Sequence, residues 1–246
     1  MAKFKRMLGI IGRQIWELFK SSIVPALMFF FASSVLLLVI MYDSDVSWNS
    51  NKMIWTVVLG VVTTAYMGFI MYKQGGDAYE MLVSGNIKRM SAGDENGGYI
   101  ISKHKYAKEY RPWKGFGVAA FAIILPVVTG LIFGFNQATI DSASSSGGIT
   151  GLSIAILIGF ITSGWSILPF FYMNASGAAV SYFYSCLLVL PAFIVIGVMY
   201  IVGAYARRAK NIRKQEEEAE AARKKAERKK KINYGGLPGT KPKKRK

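Results

Sequence analysis

The side chains that could do chemistry in this chain lie outside its long apolar runs or stand alone within them. The only histidine, His104, has Lys103 and Lys105 as neighbours, and their charge disfavours a metal ion there. The only cysteine, Cys186, lies inside an apolar run and has no second thiol for a disulfide or a metal site. The sequence therefore predicts no catalytic residue, no metal site and no cofactor.

Carboxylates are the remaining source of acid–base chemistry. The candidates in the central polar segment are Glu80, Asp94, Glu95 and Glu109. Their spacing matches no ligand or acid–base motif, so a lipid-modifying enzyme is the least favoured of three hypotheses. The apolar runs contain no Asp, Glu, Lys, Arg or His. Ionisable residues inside a membrane are costly and mark function, so their absence disfavours proton-coupled transport, voltage sensing and intramembrane proteolysis.

Five apolar runs would position any site that the chain carries. They cover about residues 23–42, 53–72, 115–135, 151–172 and 180–203. A helix rises about 1.5 Å per residue, so about 20 residues cross the ~30 Å of bilayer hydrocarbon. The residues are 52% hydrophobic, and the sequence predicts an all-α, multi-pass protein of the plasma membrane.

The positive charges are concentrated between and beyond these runs. A basic amino-terminal segment (1–22) precedes a transmembrane hairpin (23–72), a basic loop (73–114), a second transmembrane region (115–205) and a basic tail (206–246). Basic segments near span ends stay in the cytosol, so we expect the amino terminus, the loop and the tail on the cytosolic side. That arrangement requires an even number of crossings.

One of the five runs must then turn back, and residues 151–172 are the best candidate. Gly159, Gly164 and Pro169 interrupt this run, and no basic residue flanks it. Broken segments are tolerated in a membrane where protein covers them or a cavity adjoins them. We therefore expect four full transmembrane helices plus one re-entrant segment on the outer side. The alternative is five transmembrane helices with the amino terminus outside.

The first segment and the end of the loop carry residues typical of a membrane surface. Residues 3–20 alternate apolar and basic positions at helical spacing, which predicts an amphipathic interfacial helix. The loop ends in a basic and aromatic collar of the kind found at headgroup level. The predicted interfacial residues are Arg6, Arg13, Lys20, Arg111, Trp113 and Lys114.

Gly130 and Gly134 form a Gly-x-x-x-Gly pair in the third run. Small residues at this spacing let two helices approach closely. The pair predicts helix packing, within the chain or in a homo-oligomer or larger membrane complex.

The tail is the most basic part of the chain. Residues 206–231 have no large apolar stripe, so they predict a solvated helix running on from the last span rather than a coiled coil. Glycines at 235 and 236 end that helix before a short segment that we expect to be disordered. The predicted partner-binding residues are Arg223, Lys224, Lys225, Arg228, Lys229, Lys230, Lys231, Lys241, Lys243, Lys244, Arg245 and Lys246.

Anionic lipid head groups, RNA or the ribosome, or an acidic protein would suit this tail. With its clustered lysines far from the last span, the tail is similar to the ribosome-docking tails of some YidC-type membrane insertases. The resemblance is confined to the tail, because the apolar runs have no counterpart of that family's functional arginine. The sequence thus favours a non-enzymatic scaffold or assembly factor that recruits an anionic partner through its basic loop and tail. The alternative is a permease or channel subunit in which the broken helix lines the path.

Overall fold

A computed structural model describes the backbone of residues 2–42, 49–84, 109–146 and 151–234. Within these ranges the chain forms helices joined by short turns. They are α1 (Ala2–Tyr42), α2 (Ser50–Ser84), α3 (Pro112–Phe135), α4 (Gln137–Ser146), α5 (Gly151–Ala175), α6 (Tyr184–Leu188) and α7 (Leu190–Tyr234). The predicted all-α fold class is confirmed. His104, Asp94, Glu95 and the lysines beyond Tyr234 lie outside the described residues.

Among the described residues, five helices are long and apolar enough to cross a membrane. The candidate spans are Ile11–Ile40, Ser50–Val83, Pro112–Phe135, Ile156–Asn174 and Tyr184–Arg228. Their outward surfaces are apolar, as shown by Leu38 and Phe31, which are 68% and 63% exposed. Large apolar patches of this kind belong in hydrocarbon rather than in water. The protein is a multi-pass membrane protein by helix length and hydropathy.

Four long helices form a bundle, and α2 and α7 make its most extensive contact. Gly68 of α2 faces Val195 and Met199, and Gly75 faces Tyr200. Residue numbers rise together along both helices, so α2 and α7 run parallel. Gly115 of α3 meets Tyr200, while its Gly130 meets Ser185, so α3 runs antiparallel to this pair.

The same geometry brings three basic regions to one end of the bundle, which we name the charged end. A cavity at this end is lined by Glu17 of α1, Asp77 of α2, Lys114 of α3 and Tyr200 of α7. The amino-terminal part of α1, the last turns of α2, the start of α3 and the charged part of α7 therefore lie together. The opposite end of the bundle holds the end of α1, the start of α2, α4 and α6.

Helix α5 is broken near its middle. Ser163 has non-helical backbone angles (φ −140°, ψ 15°). Phe160 and Phe171 lie on either side of this break, and their ring centroids are 4.9 Å apart. Eleven residues of straight helix would separate them by ~16 Å along the axis. The two halves of α5 therefore fold back on each other, within the segment 151–172 that the sequence singles out as irregular.

Two helices differ from the segments expected from the sequence. α1 is one helix from Ala2 to Tyr42 with Pro25 inside it, so residues 1–22 do not form a separate interfacial helix. Leu18 is buried in the bundle core, which ties this part of α1 to its neighbours. α2 continues beyond the second apolar run to Ser84 because its last turns pack along α7. The predicted loop is correspondingly shorter, and residues 85–108 lie outside the described part.

Candidate functional site

The charged part of α7 continues the last membrane helix without interruption. α7 extends from Leu190 to Tyr234 and ends immediately before Gly235 and Gly236. The side chains of Arg223, Lys224, Lys225 and Arg228 are all exposed. The backbone of residues 229–231 also lies in α7, whereas Lys241–Lys246 lie outside the described residues. The part of α7 that the structure describes thus presents four of the predicted partner-binding side chains to solvent.

Charge along this helix is sorted into three bands. A proximal basic band, Arg207–Lys214, contains five Lys or Arg residues. An acidic band, Glu216–Glu220, follows with four Glu. A distal basic band, Arg223–Lys231, contains seven Lys or Arg and one Glu. The banding separates the outermost positive charge from the positive charge next to the bundle.

Glycines allow an unusually close contact between α2 and α7 where the charged part begins. A Cβ built on Gly75 would lie 1.9 Å from the Tyr200 carbonyl oxygen, and one on Gly203 would lie 1.9 Å from the Tyr72 carbonyl oxygen. No side chain fits at either place, so the two backbones touch. One turn further, the Arg207 guanidinium donates to the Glu80 carboxylate. These contacts fix the direction in which α7 leaves the bundle.

A polar cavity of about 280 Å³ lies inside the charged end. Its lining includes two carboxylates, two amides and one ammonium group, contributed by Glu17, Asp77, Gln14, Gln74 and Lys114. Three helices, α1, α2 and α3, bring these groups together from distant parts of the sequence, which is why sequence spacing gave no sign of the cavity.

Lys114 lies inside the bundle, although the sequence placed it at the membrane surface. It is only 7% exposed and donates from Nζ to the backbone carbonyl of Glu109. Its neighbour Trp113 is exposed, and Arg111 is the residue that precedes the first turn of α3. A helix turns by about 100° per residue, so adjacent positions at its start face different surroundings.

Tyr200, which lines the cavity together with Lys114, belongs to a cluster of three tyrosines. Tyr110 stacks on Tyr200 with ring centroids 5.6 Å apart, and it makes an edge contact with Tyr79 at 6.2 Å. Burial raises the pKa of the Tyr110 hydroxyl, and Tyr205 raises it further. Tyr110 therefore remains a neutral hydrogen-bonding group at physiological pH.

The predicted interfacial residues of α1 lie on its exposed surface where they are described. Arg13 and Lys20 are exposed, and the side chain of Arg6 lies outside the described part. Lys20 lies 3.9 Å from Glu17 and sits over the Trp16 ring at 5.3 Å from its centroid. An exposed pair of this kind contributes little to stability, at most about 1 kcal/mol.

The broken helix α5 has its own polar partners inside the membrane region. Its break leaves the N–H of Trp165 without a helical acceptor, and Ser33 Oγ of α1 accepts it at 3.1 Å. Thr129 Oγ1 of α3 lies 3.3 Å from Ser163 Oγ at the break itself. The indole Nε1 of Trp165 is buried and has no hydrogen-bond partner among the described residues. The Ser33 hydroxyl thus replaces one missing helical hydrogen bond, and the Thr129 hydroxyl contacts the side chain at the break.

A groove of about 670 Å³ adjoins this break on the outside of the bundle. It lies between α2, α5 and α7 and is lined by Gly60, Trp165 and Pro169 together with mainly apolar side chains. The groove faces the lateral surface of the membrane helices, so an apolar molecule fits it better than a charged one.

Gly130 and Gly134 pack within the chain. A Cβ on Gly130 would lie 2.5 Å from Ser185 Oγ, and one on Gly134 would lie 2.6 Å from the Phe183 ring. Both glycines therefore face the turn and short helix that precede α7.

In the described ranges, no group of three or more His, Cys, Asp or Glu residues could hold a metal ion. Comparisons with protein families, with curated proteins and with solved structures find no match to this chain. The charged end and the exposed bands of α7 form the candidate functional site.

Proposed function

We propose that the protein is a non-enzymatic scaffold or assembly factor of the plasma membrane that recruits an anionic partner. Its amino terminus, its 73–114 loop and its tail lie in the cytosol. The observation that carries the proposal is the unbroken α7, which joins a membrane span to the distal basic band.

The length of α7 favours a partner in solution over the membrane that anchors the protein. From Arg207 to Arg223 the helix rises ~24 Å at about 1.5 Å per residue. The Debye length at physiological ionic strength is about 8 Å, so the surface potential of the bilayer is screened at that distance. The acidic band also opposes a helix lying flat on anionic lipid. The distal basic band therefore serves a partner away from the lipid head groups.

The composition of the distal basic band favours RNA over an acidic protein. Seven cations in nine residues surround the helix on every side. Protein interfaces are centred on large apolar and aromatic side chains, and the only apolar residue in this band is Ala226. A polyanion that exchanges its counterions for Lys and Arg needs only such a charge density.

The arrangement of the bundle supports the cytosolic placement of all three basic regions. They share the charged end, so one side of the membrane can hold them all. The folded-back α5 lets the chain return to that side after four full crossings, with the α5 hairpin entering from the outer side.

The proposal is tested by RNA binding to the full-length protein in nanodiscs of phosphatidylcholine, measured with a labelled single-stranded RNA over a salt series. The triple variant K224Q/K225Q/R228Q should weaken binding and reduce the slope of log K against log salt by about 2. The matched triple R208Q/R213Q/K214Q removes the same charge near the bundle and should change binding much less. Equal losses in both variants, or salt-independent binding, would overturn the proposal.

A crosslinking pull-down from native membranes, assayed for both RNA and protein, separates the two soluble partners. Recovery of RNA that depends on the distal basic band supports the proposal. Recovery of a ribonuclease-resistant acidic protein in its place would contradict the assignment of RNA.

The hairpin in α5 supports a second function, a permease or channel subunit. Its break lies among buried hydroxyl groups and beside the lateral groove. Solute flux in reconstituted vesicles that changes on substitution of Gly164 or Pro169 would favour this function. A chain lacking residues 207–246 should retain such flux, whereas it should lose recruitment of RNA.

A further inference from the structure

A second cavity, of about 270 Å³, lies between α2 and α7 at the charged end. We name it the α2–α7 cleft, and the residues that matter to its chemistry are Lys73, Asp77, Arg207 and Lys210 with Phe69 and Tyr72. It is separate from the distal basic band, which lies more than three turns further along α7.

The cleft lies where both helices pass from apolar to charged residues. In α2 the change from apolar to charged residues falls between Tyr72 and Lys73, and in α7 it falls between Tyr205 and Arg207. These points are level with each other because Gly76 packs against Gly203 and Arg207. The boundary between apolar and charged residues marks the headgroup region of a bilayer.

The charges of the cleft favour a single negative group. Lys73, Arg207 and Lys210 supply three cations against the carboxylates of Asp77 and Glu80. Nη2 of Arg207 donates to the Glu80 carboxylate, so one of the three cations is already paired. Lys73 and Lys210 remain against Asp77, which leaves a net positive charge for one anion.

The membrane-facing wall of the cleft is aromatic. Phe69 and Tyr72 are 63% and 37% exposed and lie directly on the apolar side of Lys73. They offer a surface for the upper part of acyl chains. A soluble phosphate would leave this wall uncovered, whereas a phospholipid covers it.

We propose that the α2–α7 cleft binds the head group of an anionic phospholipid from the surrounding membrane. The phosphate contacts Lys73 and Lys210 beside the paired Arg207, and the acyl chains descend along Phe69 and Tyr72. Basic pockets between membrane helices are known to take anionic head groups. This inference does not depend on the proposed recruitment of RNA, because it concerns different residues and a partner inside the membrane.

The test is native mass spectrometry of the full-length protein in a neutral detergent. The protein is titrated with phosphatidylglycerol, phosphatidylcholine or phosphatidylethanolamine of identical acyl chains. Phosphatidylglycerol should bind about tenfold more tightly than the two zwitterionic lipids. Equal binding of all three lipids would overturn the proposal.

A pair of matched variants locates the site. The double variant K73Q/K210Q should reduce phosphatidylglycerol binding about tenfold. The control R213Q/K214Q removes two charges from α7 outside the cleft and should reduce it less than about twofold. Equal reductions in both variants would mean that general charge attraction, not this cleft, binds the lipid.

Inorganic phosphate distinguishes a lipid from a soluble anion. At the concentration of lipid used, it should not displace phosphatidylglycerol, because it cannot cover the aromatic wall. Full displacement by inorganic phosphate would show that the cleft takes a soluble phosphate and would contradict the proposal.

Discussion

The backbone N–H of Trp165 in α5 donates a hydrogen bond to Ser33 Oγ in α1, at 3.1 Å. The hydroxyl in turn donates to the carbonyl of Phe29, at 2.8 Å. The contact joins residues that are 132 positions apart and satisfies a donor that the break at Ser163 frees. It therefore links the broken helix to the first membrane helix.

Replacement of Ser33 by Ala should destabilise the protein by about 1–3 kcal/mol, because a buried N–H loses its acceptor. The neighbouring Ser34 is the matched control. Its hydroxyl is exposed and bonds only the carbonyl of Phe30 in its own helix, so Ser34→Ala should have little effect. The midpoint of thermal unfolding in detergent measures both variants, and equal midpoints would contradict the role assigned to Ser33.

Replacement of Gly75 or Gly203 by Ala should separate α2 from α7. The added Cβ has no room beside the opposing carbonyl oxygen, and overpacking of this kind costs about 1–3 kcal/mol or more. Gly12→Ala is the control, since a Cβ there meets nothing within 4 Å and alanine favours helix by up to about 1 kcal/mol. The midpoint of thermal unfolding should be higher for Gly12→Ala than for the unsubstituted protein, and it should be lower for Gly75→Ala and Gly203→Ala.

The folded-back form of α5 predicts a crosslink that a straight helix forbids. In a Cys186→Ala background, F160C and F171C should be joined by a bifunctional thiol reagent shorter than ~16 Å, because the native ring centroids are 4.9 Å apart whereas eleven residues of straight helix rise ~16 Å. The pair I194C and Y205C has the same spacing on the straight α7 and should not be joined within one chain. Mass spectrometry of the intact protein reads the mass of the bridging reagent, and failure of the first pair to crosslink would contradict the hairpin.

The rigid extension of α7 predicts a narrow distance between labels at its two basic bands. Spin labels introduced through K210C and R228C, again with Cys186→Ala, should lie about 27 Å apart along the helix axis. Ala221→Pro removes a helical hydrogen bond at a cost of about 3 kcal/mol and should broaden and shift that distance. Ala221→Gln keeps the helix and should leave it unchanged. A broad distribution in the chain without either Ala221 substitution would contradict the rigid extension.

Much of the fold could be predicted from the sequence, because apolar runs of bilayer length leave few alternatives. The irregular nature of residues 151–172 was also predictable from Gly159, Gly164 and Pro169. The position of the break was not, because Ser163 is neither glycine nor proline. The partners at the break are hydroxyl groups of α1 and α3, and only tertiary packing brings them there.

The candidate site could likewise be predicted only in part from the sequence. The exposed tail residues were visible as a charge run, and the three bands follow from the order of Lys, Arg and Glu alone. The α2–α7 cleft and the polar cavity could not be predicted, since each combines residues more than a hundred positions apart. Gly75, Gly76 and Gly203 are the residues in the sequence that indicate a close helix contact. The sequence does not show which helix each glycine contacts, and the parallel pairing of α2 and α7 in the structure does.

The close contact of Gly75 and Gly203 also has a mechanical consequence. It lies at the base of the charged part of α7, which is a continuous helix. From Arg207 to Tyr234 this part is ~40 Å long at about 1.5 Å per residue. A rotation of about 10° at this pivot would sweep the far end through ~7 Å. Small changes of tilt among the membrane helices would thus produce large displacements of a partner bound near the carboxyl-terminal end of α7.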